Sequence, residues 1–454
     1  MAMEMLSAPG YRRDLGGGLV LRWSTAADTE PLNAMYAEAF RREKDAPQLP
    51  TAGRWVRDMT SGRHPLIGPG DFALVEDTDR GRVVSATCLM NQVWEYEGVA
   101  LPVGRPEIVA TEWEYRERGL VRAIFELIHA RSAARGHLAL GITGIPYYYR
   151  QFGYEYALDL DGHRFLPFAA IAKLKDGEPE PYTLRAATLD DLPQVMALYD
   201  RERARGPVST RLDEAYWRWI MAEQDPEGAE GWLTQLIVDA AGRSVGYLLR
   251  ARRRWGDSVR VLAMWVEPDV PLVRVLPSAL RALRDQAETM PTFMRPDTPP
   301  ASKIAFGLER DHPVYEALGA QASVDPPYAW YVRVPDLPAL LRRVAPALDR
   351  RLAGSPAAGY TGELRIDFYR GGLRLAFEQG QLAVAEHWNG RSERWGARAQ
   401  AGFPPLVFLQ LLFGRRSLAE LRYALPDAWT DGEEPRVLLE ALFPARPSWV
   451  MPLD

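Results

Sequence analysis

The segment Leu21-Arg22-Trp23-Ser24-Thr25, followed by Asp28, Leu32, Ala34 and Tyr36, returns 163 positions later as Leu184-Arg185-Ala186-Ala187-Thr188, followed by Asp191, Val195, Ala197 and Tyr199. Each copy reads as a short strand, a Thr or Asp at a helix start, then a helix with its apolar positions on one face. A second pair, Tyr149-Arg150-Gln151-Phe152-Gly153 and Tyr315-Glu316-Ala317-Leu318-Gly319, recurs at an offset of 166. Chance could produce either pair alone. Two pairs at almost one spacing imply two tandem copies of one fold, so the chain must build two similar units and still accommodate a C-terminal remainder.

In the first unit the opening helix is followed by alternating apolar segments at 71–76, 82–95 and 99–111, bounded by Gly, Pro and Asp turn residues. A helix is predicted over 120–135, with Ala123, Leu127, Ile128 and Ala134 sharing a stripe and Gly136 ending it, then a buried strand at 138–142. The second unit spans about 182–325 and contains a Pro-rich loop at 291–300. From Tyr328 the pattern changes to a helix at 337–352, short strands at 362–368, 372–379 and 381–386 with Gly-containing turns between them, and helices at 404–413 and 435–442. The expected domains are therefore 1–166, 167–327 and 328–454, in keeping with roughly 150 residues per domain.

Composition excludes several classes of partner. Fifty-five Lys and Arg against sixty Asp and Glu give a net charge of −5, so no global basic field draws nucleic acid or anionic lipid. One cysteine, Cys88, cannot form an intramolecular disulfide, and six scattered histidines argue against a metal cluster. The N-terminus lacks the apolar core of a secretory signal, and no stretch approaches the ~18 consecutive apolar residues of a membrane span. A cytoplasmic, soluble protein is expected, with no nucleic-acid or membrane partner and no metal.

One stretch carries chemistry: Ile108-Val109-Ala110-Thr111-Glu112-Trp113-Glu114-Tyr115-Arg116-Glu117-Arg118-Gly119-Leu120-Val121-Arg122. A strand runs into an Arg-x-x-Gly loop that opens directly into a helix. Such a loop aims several backbone N–H groups and a helix N-terminus at one point, an anion site that favours a diphosphate. Gly119 lets the backbone approach without a Cβ in the way. The preceding strand can leave backbone groups of Val109 and Thr111 free for an extended, amide-bearing ligand.

Here the sequence resembles the GNAT acetyltransferase superfamily, whose acetyl-CoA signature is Gln/Arg-x-x-Gly-x-Gly/Ala after a strand, matched by Arg116, Gly119 and Val121. Val121 departs from the small final residue, as in the three-domain branch that contains the enhanced intracellular survival proteins. Tyr149-Arg150-Gln151-Phe152-Gly153-Tyr154, which follows, resembles the superfamily's second signature, in which a Tyr on a short helix adjoins the CoA sulfur. The resemblance covers nearly the whole chain. It implies an α/β (α+β) fold class, with two tandem GNAT folds built on mixed central sheets and a C-terminal α+β domain similar to sterol carrier proteins. It also implies acetyl-CoA bound by Val109, Ala110, Thr111, Arg116, Glu117, Arg118, Gly119, Leu120, Val121 and Arg122. In the second unit the equivalent strand leads into Glu267-Pro268-Asp269-Val270-Pro271, with no Arg-x-x-Gly loop. Acidic and proline residues oppose phosphate there, so a degenerate, structural copy is expected.

Acetyl transfer to an amine needs a neutral nucleophile, a polarised thioester carbonyl and a proton for the departing thiolate. The resemblance implies Tyr149 as that proton donor and the chain's terminal carboxylate, at Asp454, as the base. It further implies a small-molecule amine acceptor, aminoglycoside-like or a polyamine, and a homo-oligomer, hexameric in that branch. The loop Arg41-Arg42-Glu43-Lys44-Asp45 is of mixed charge and reads as a solvated face rather than an amine site. His64, His129, His137, His163, His312 and His387 show no pairing pattern. Two alternatives stand beside this reading. One is a lipid- or small-ligand-binding protein with vestigial GNAT units; the other is a transferase for protein or peptide amines.

Overall fold

The computed structural model describes residues 2–41, 43–228, 231–293, 298–326, 328–389 and 398–452. The first unit comprises α1 (Ala2–Ser7), β1 (Arg12–Gly16), β2 (Leu19–Trp23), α2 (Thr29–Ala39), α3 (Pro50–Thr60), β3 (Phe72–Asp77), β4 (Arg82–Tyr96), β5 (Val99–Thr111), α4 (Leu120–Ala134), β6 (Ala139–Ile142) and β7 (Glu155–Asp159). The duplication is visible in hydrogen bonds. Asp28 accepts from the Thr25 amide (2.7 Å) and hydroxyl (3.0 Å) while Arg22 grips it at 2.6 Å. Asp191 accepts from the Thr188 amide (2.8 Å) and hydroxyl (3.1 Å) while Arg185 grips it at 2.7 Å. Each copy is a capping box that starts the unit's first long helix.

The long strands β4 and β5 are joined through Glu97 and Gly98, both at positive φ (46° and 81°), the twist a two-residue hairpin requires. This hairpin is where all three units meet. Its tip pairs with the second-unit strand Val208–Arg211, from Val208 opposite Tyr96 to Arg211 opposite Val93. Its inner residues Trp94, Tyr96, Leu101 and Val103 share one buried core with Leu340, Leu341, Val344 and Leu348 of the helix Leu337–Ala353 in the third unit.

Sheet order departs from the expected domain boundaries at 166 and 327. The first sheet runs β1-β2-β3-β4-β5-β6, then the strand Ala329–Arg333, then β7. The second runs Ser323–Val324, Arg164–Pro167, Lys303–Phe306, Ser258–Val266, Ser244–Ala251, Trp232–Asp239 and Tyr182–Ala186. The strand that follows each unit therefore crosses into the other and fills its gap before the last strand. Local pattern could not reveal this, because each exchanged strand is only four or five residues long and its partners lie in the other unit. Most pairs are antiparallel, but β5 with β6 and Ser258–Val266 with Lys303–Phe306 are parallel, so both sheets are mixed.

The third unit is α+β: the helix Leu337–Ala353 packs on a sheet ordered Gln381–Trp388, Gly372–Glu378, Gly362–Asp367, Ala401–Gly402 and Trp429–Thr430. The final described residues return to the junction of the units. Trp449, Val450 and Met451 are buried; the Trp449 amide donates to Val208 O (2.9 Å) and the Met451 amide to Thr210 Oγ1 (3.0 Å). No helix among the described residues is long and apolar enough to cross a membrane.

Candidate active site

Strands β5 and β6 pair only at Val103–Ala139 and Gly104–Leu140. Beyond Gly104, β5 continues to Thr111 without a partner on that side, and a cleft of about 650 Å³ opens between its last residues, the start of α4 and residues 145–152. Its lining includes Val109, Ala110, Thr111, Arg116, Glu117, Gly119, Leu120, Val121 and Arg122 from the expected segment, faced by Ile145, Tyr148 and Phe152. Thr111 contributes less backbone than expected, since its carbonyl accepts from Arg116 Nε at 3.3 Å.

At one end lies the start of α4. Gly119 is its N-cap residue at φ 74° and supplies no side-chain cap, so the first amides of the helix have no intrahelical partner. A Cβ on Gly119 would meet nothing within 4 Å, which leaves the space in front of those amides open. Arg116 and Arg122 line the cleft beside it, whereas the expected Arg118 is not in the lining. The Arg116 guanidinium stacks 3.5 Å over Trp113, Arg118 lies 4.9 Å over Tyr115 and donates to Glu114 O (2.9 Å), and Arg122 donates to Gln151 Oε1 (2.7 Å). Stacking holds these long side chains in place while each planar fork keeps further donors for an anion. Free amides, a helix N-terminus and the guanidiniums of Arg116 and Arg122 fit a diphosphate.

At the other end β5 bulges. Cys88 opposes Glu107 but Ala86 opposes Ala110, so β5 carries one extra residue, and Ile108 takes φ 47°, a left-handed value rare for a β-branched side chain. The Glu107 carboxylate folds back to accept the Ile108 amide (3.1 Å), and Arg105 donates to it from Nε (3.0 Å) and Nη2 (2.8 Å). Arg105 is only 1% exposed and lies 5.1 Å over the Trp330 ring. Sequence reasoning missed both charges, which read as ordinary polar positions along a strand; an Arg and a Glu alternating within an otherwise apolar run was the available signal.

Tyr149 lies on the short helix Tyr149–Phe152, beneath the cleft and 2% exposed, with its ring 5.3 Å from Tyr331 and 5.8 Å from Phe125. Burial pushes its phenol well above the ordinary value, and the Glu107 carboxylate adds to the shift. Tyr36, on α2, is fully buried with an unpartnered hydroxyl and is shifted the same way, by burial first and then by Cys88 and Glu107. Glu107 thus acts on phenols from both sides of the sheet. Asp454 lies outside the described residues. The segment before it reaches this region: Trp330 Nε1 donates to Val450 O at 3.1 Å, and the same indole carries Arg105 on its face.

The corresponding cleft in the second unit is filled. Past the last pair, Val261–Phe306, Arg205 lies 5.4 Å over Trp265 and pairs with Glu309 at 3.3 Å. Tyr315, the counterpart of Tyr149, receives the Leu308 amide on its hydroxyl (3.0 Å). The helix Leu272–Ala287 starts after Pro271, and its Arg274 amide is already taken by Pro271 O at 2.9 Å.

Residues 21–157 match the family described as acetyltransferase (GNAT) domain. No curated protein sequence matches the chain. Among solved structures, a GCN5-related N-acetyltransferase from Anabaena variabilis superposes with a TM-score of 0.64 at 14% identity, over 96% of this chain and all of the other. A GCN5-related N-acetyltransferase from Kribbella flavida superposes at 0.61 with 19% identity, over 96% of this chain and 98% of its own. Eis1 from Mycobacterium abscessus does so at 0.57 with 14% identity, over 95% and 99%. At these identities the likeness is one of fold. The chain is an acyltransferase by virtue of its GNAT domain, residues 21–157, built into the fold that these N-acetyltransferases share.

Proposed function

We propose that the chain transfers the acetyl group of acetyl-CoA to an amine of a small molecule. The observation that carries this reading is the cleft at the end of β5, where an uncapped helix N-terminus is flanked by Arg116 and Arg122. In this reading the amides of Leu120, Val121 and Arg122 hold the diphosphate, and the unpaired edge of β5 near Val109 holds the extended amide-bearing arm. When bound, acetyl-CoA supplies an activated acyl group with a thiolate leaving group.

The residues then divide the proton work. Tyr149, kept protonated by burial, donates to the departing sulfur. Two groups compete for the amine's proton: the Glu107 carboxylate at the bulge, and the terminal carboxylate of Asp454. A small acceptor is favoured over a protein side chain because α2, α3 and Phe293 of the second unit pack over the sheet face that carries Cys88 and Met90. The filled cleft of the second unit supports a single acetyl-CoA site per chain.

The test is acetyl-CoA-dependent thiol release across aminoglycosides, polyamines and lysine peptides. Release with small amines alone is expected; release with peptides alone would favour the protein-amine reading. One observation favours the ligand-binding alternative, a 260 Å³ pocket in the third unit lined by Leu337, Leu373, Phe408 and Leu409. No thiol release with any amine, together with lipid retained on the purified chain, would favour it.

A further inference from the structure

Residues 144–148 join β6 to the helix Tyr149–Phe152 and supply Ile145 and Tyr148 to the cleft. Little of their own structure fixes them: the Tyr148 amide reaches Ile145 O at 3.3 Å, and Tyr147 sits at φ 62°, a conformation that persists in a tyrosine only when its surroundings impose it. Three tyrosine hydroxyls impose it. Tyr156 Oη, from β7, accepts the Tyr147 amide at 2.9 Å. Tyr331 Oη lies 2.6 Å from Tyr156 Oη and 3.1 Å from Ile145 O. Tyr328 donates to Gly144 O. The Tyr156 and Tyr331 rings stack at 4.1 Å, and Tyr331 also abuts Tyr149 at 5.3 Å.

Two of these tyrosines come from the stretch that follows the second unit, and the third unit adds Arg415, 5.7 Å over the Tyr156 ring and paired with Asp159 at 3.1 Å. One wall of the first unit's cleft is therefore held by side chains that lie far beyond that unit in sequence. We infer that Tyr156, Tyr328 and Tyr331 are positioning residues for acetyl-CoA, a hydroxyl clamp that holds residues 144–148 in the binding conformation. This rests on the functional reading above.

Tyr331→Phe and Tyr156→Phe remove the hydroxyls and keep the rings, so the packing survives. In the ligand-free full chain, amide exchange of 144–148 should accelerate at least tenfold while β5 keeps its protection. Calorimetry should find acetyl-CoA bound about tenfold more weakly. The KM for acetyl-CoA should rise by the same factor, with kcat and Tm little changed, a split that a general loss of stability would not produce. Unchanged exchange, or faster exchange with unaltered acetyl-CoA affinity, would overturn the clamp. If Tyr331→Phe fails to fold, Tyr328→Phe, on a partly exposed ring, carries the same test. A wild-type chain that binds no acetyl-CoA fails the functional reading, whereas normal wild-type binding that the variants share fails the clamp alone.

Discussion

Arg105 and Glu107, two residues apart on β5, form an ion pair of 2.8 Å in which the guanidinium is almost wholly enclosed. Breaking one side of such a pair costs more than the pair contributes, because the remaining charge stays buried alone. Arg105→Met should therefore destabilise the chain by about 3 kcal/mol in urea unfolding. Glu107→Gln keeps the shape but leaves the enclosed Arg105 without its countercharge, so it should destabilise by a comparable amount. If the Glu107 carboxylate takes the amine's proton, Glu107→Gln should lower kcat by about 10²-fold or more with acetyl-CoA affinity preserved.

Gly119 separates the binding requirement from the folding one. At φ 74° an alanine is strained by about 1 kcal/mol, yet its Cβ meets open space, so Gly119→Ala should fold and bind acetyl-CoA more weakly. Gly119→Asp sets a negative charge before the free amides of α4 and should abolish binding in calorimetry.

Tyr149→Phe should lower kcat by about 10²–10⁴-fold while acetyl-CoA affinity is nearly unchanged. Tyr148 lines the cleft where Tyr149 underlies it, so Tyr148→Phe is the control. A rate loss confined to Tyr148→Phe would transfer the donor role to the neighbour.

Two truncations of the C-terminus have different expected outcomes. Ending the chain after Ser448 removes the buried Trp449, Val450 and Met451 and should destabilise it by several kcal/mol, at about 1.5–3 kcal/mol per buried side chain. Ending it after Pro452 spares those contacts. A fall in kcat with the melting temperature unchanged would assign the base to the terminal carboxylate, and Asp454→Asn measured alongside distinguishes the side chain from the main chain.

Acid stability should report two histidines. Burial, then the charge of Arg135, holds His137 down at about 4; burial, then Arg333, holds His129 at about 3. Unfolded, both take up a proton near 6.5, so below that pH the unfolded chain binds more protons and stability falls as pH drops towards 4. Each contributes up to about 1.4 kcal/mol per pH unit in that window. His137→Asn, which can keep the bond to Ser132, should flatten the slope between pH 6 and 5 by about 1 kcal/mol per unit.

What could be read from the chain in advance follows the range of the interactions. The Thr25–Asp28 and Thr188–Asp191 caps act over three residues, so the duplication was legible from residue identity and spacing. The run from Val109 to Arg122 is likewise local, and most of it, though not Arg118, lines the cleft. Arg105 and Glu107 were not legible because a bulge, set by strand pairing with Cys88 and Ala86, gives them their place. The exchanged strands Arg164–Pro167 and Ala329–Arg333 escaped for a similar reason, since their partners lie in the other unit and nothing in either strand names its sheet.

That exchange bears on how the chain is made. When a ribosome has released β7, the slot between β6 and β7 stays open until Ala329–Arg333 emerges, some 170 residues later. At 5–20 residues per second the interval is roughly 10–30 s. Throughout it the first sheet lacks the strand between β6 and β7, and two of the three tyrosines that fasten residues 144–148, Tyr328 and Tyr331, do not yet exist. On the clamp inferred above, the nascent first unit completes its cleft wall only once the chain has grown past Arg333, with most of the third unit still to come.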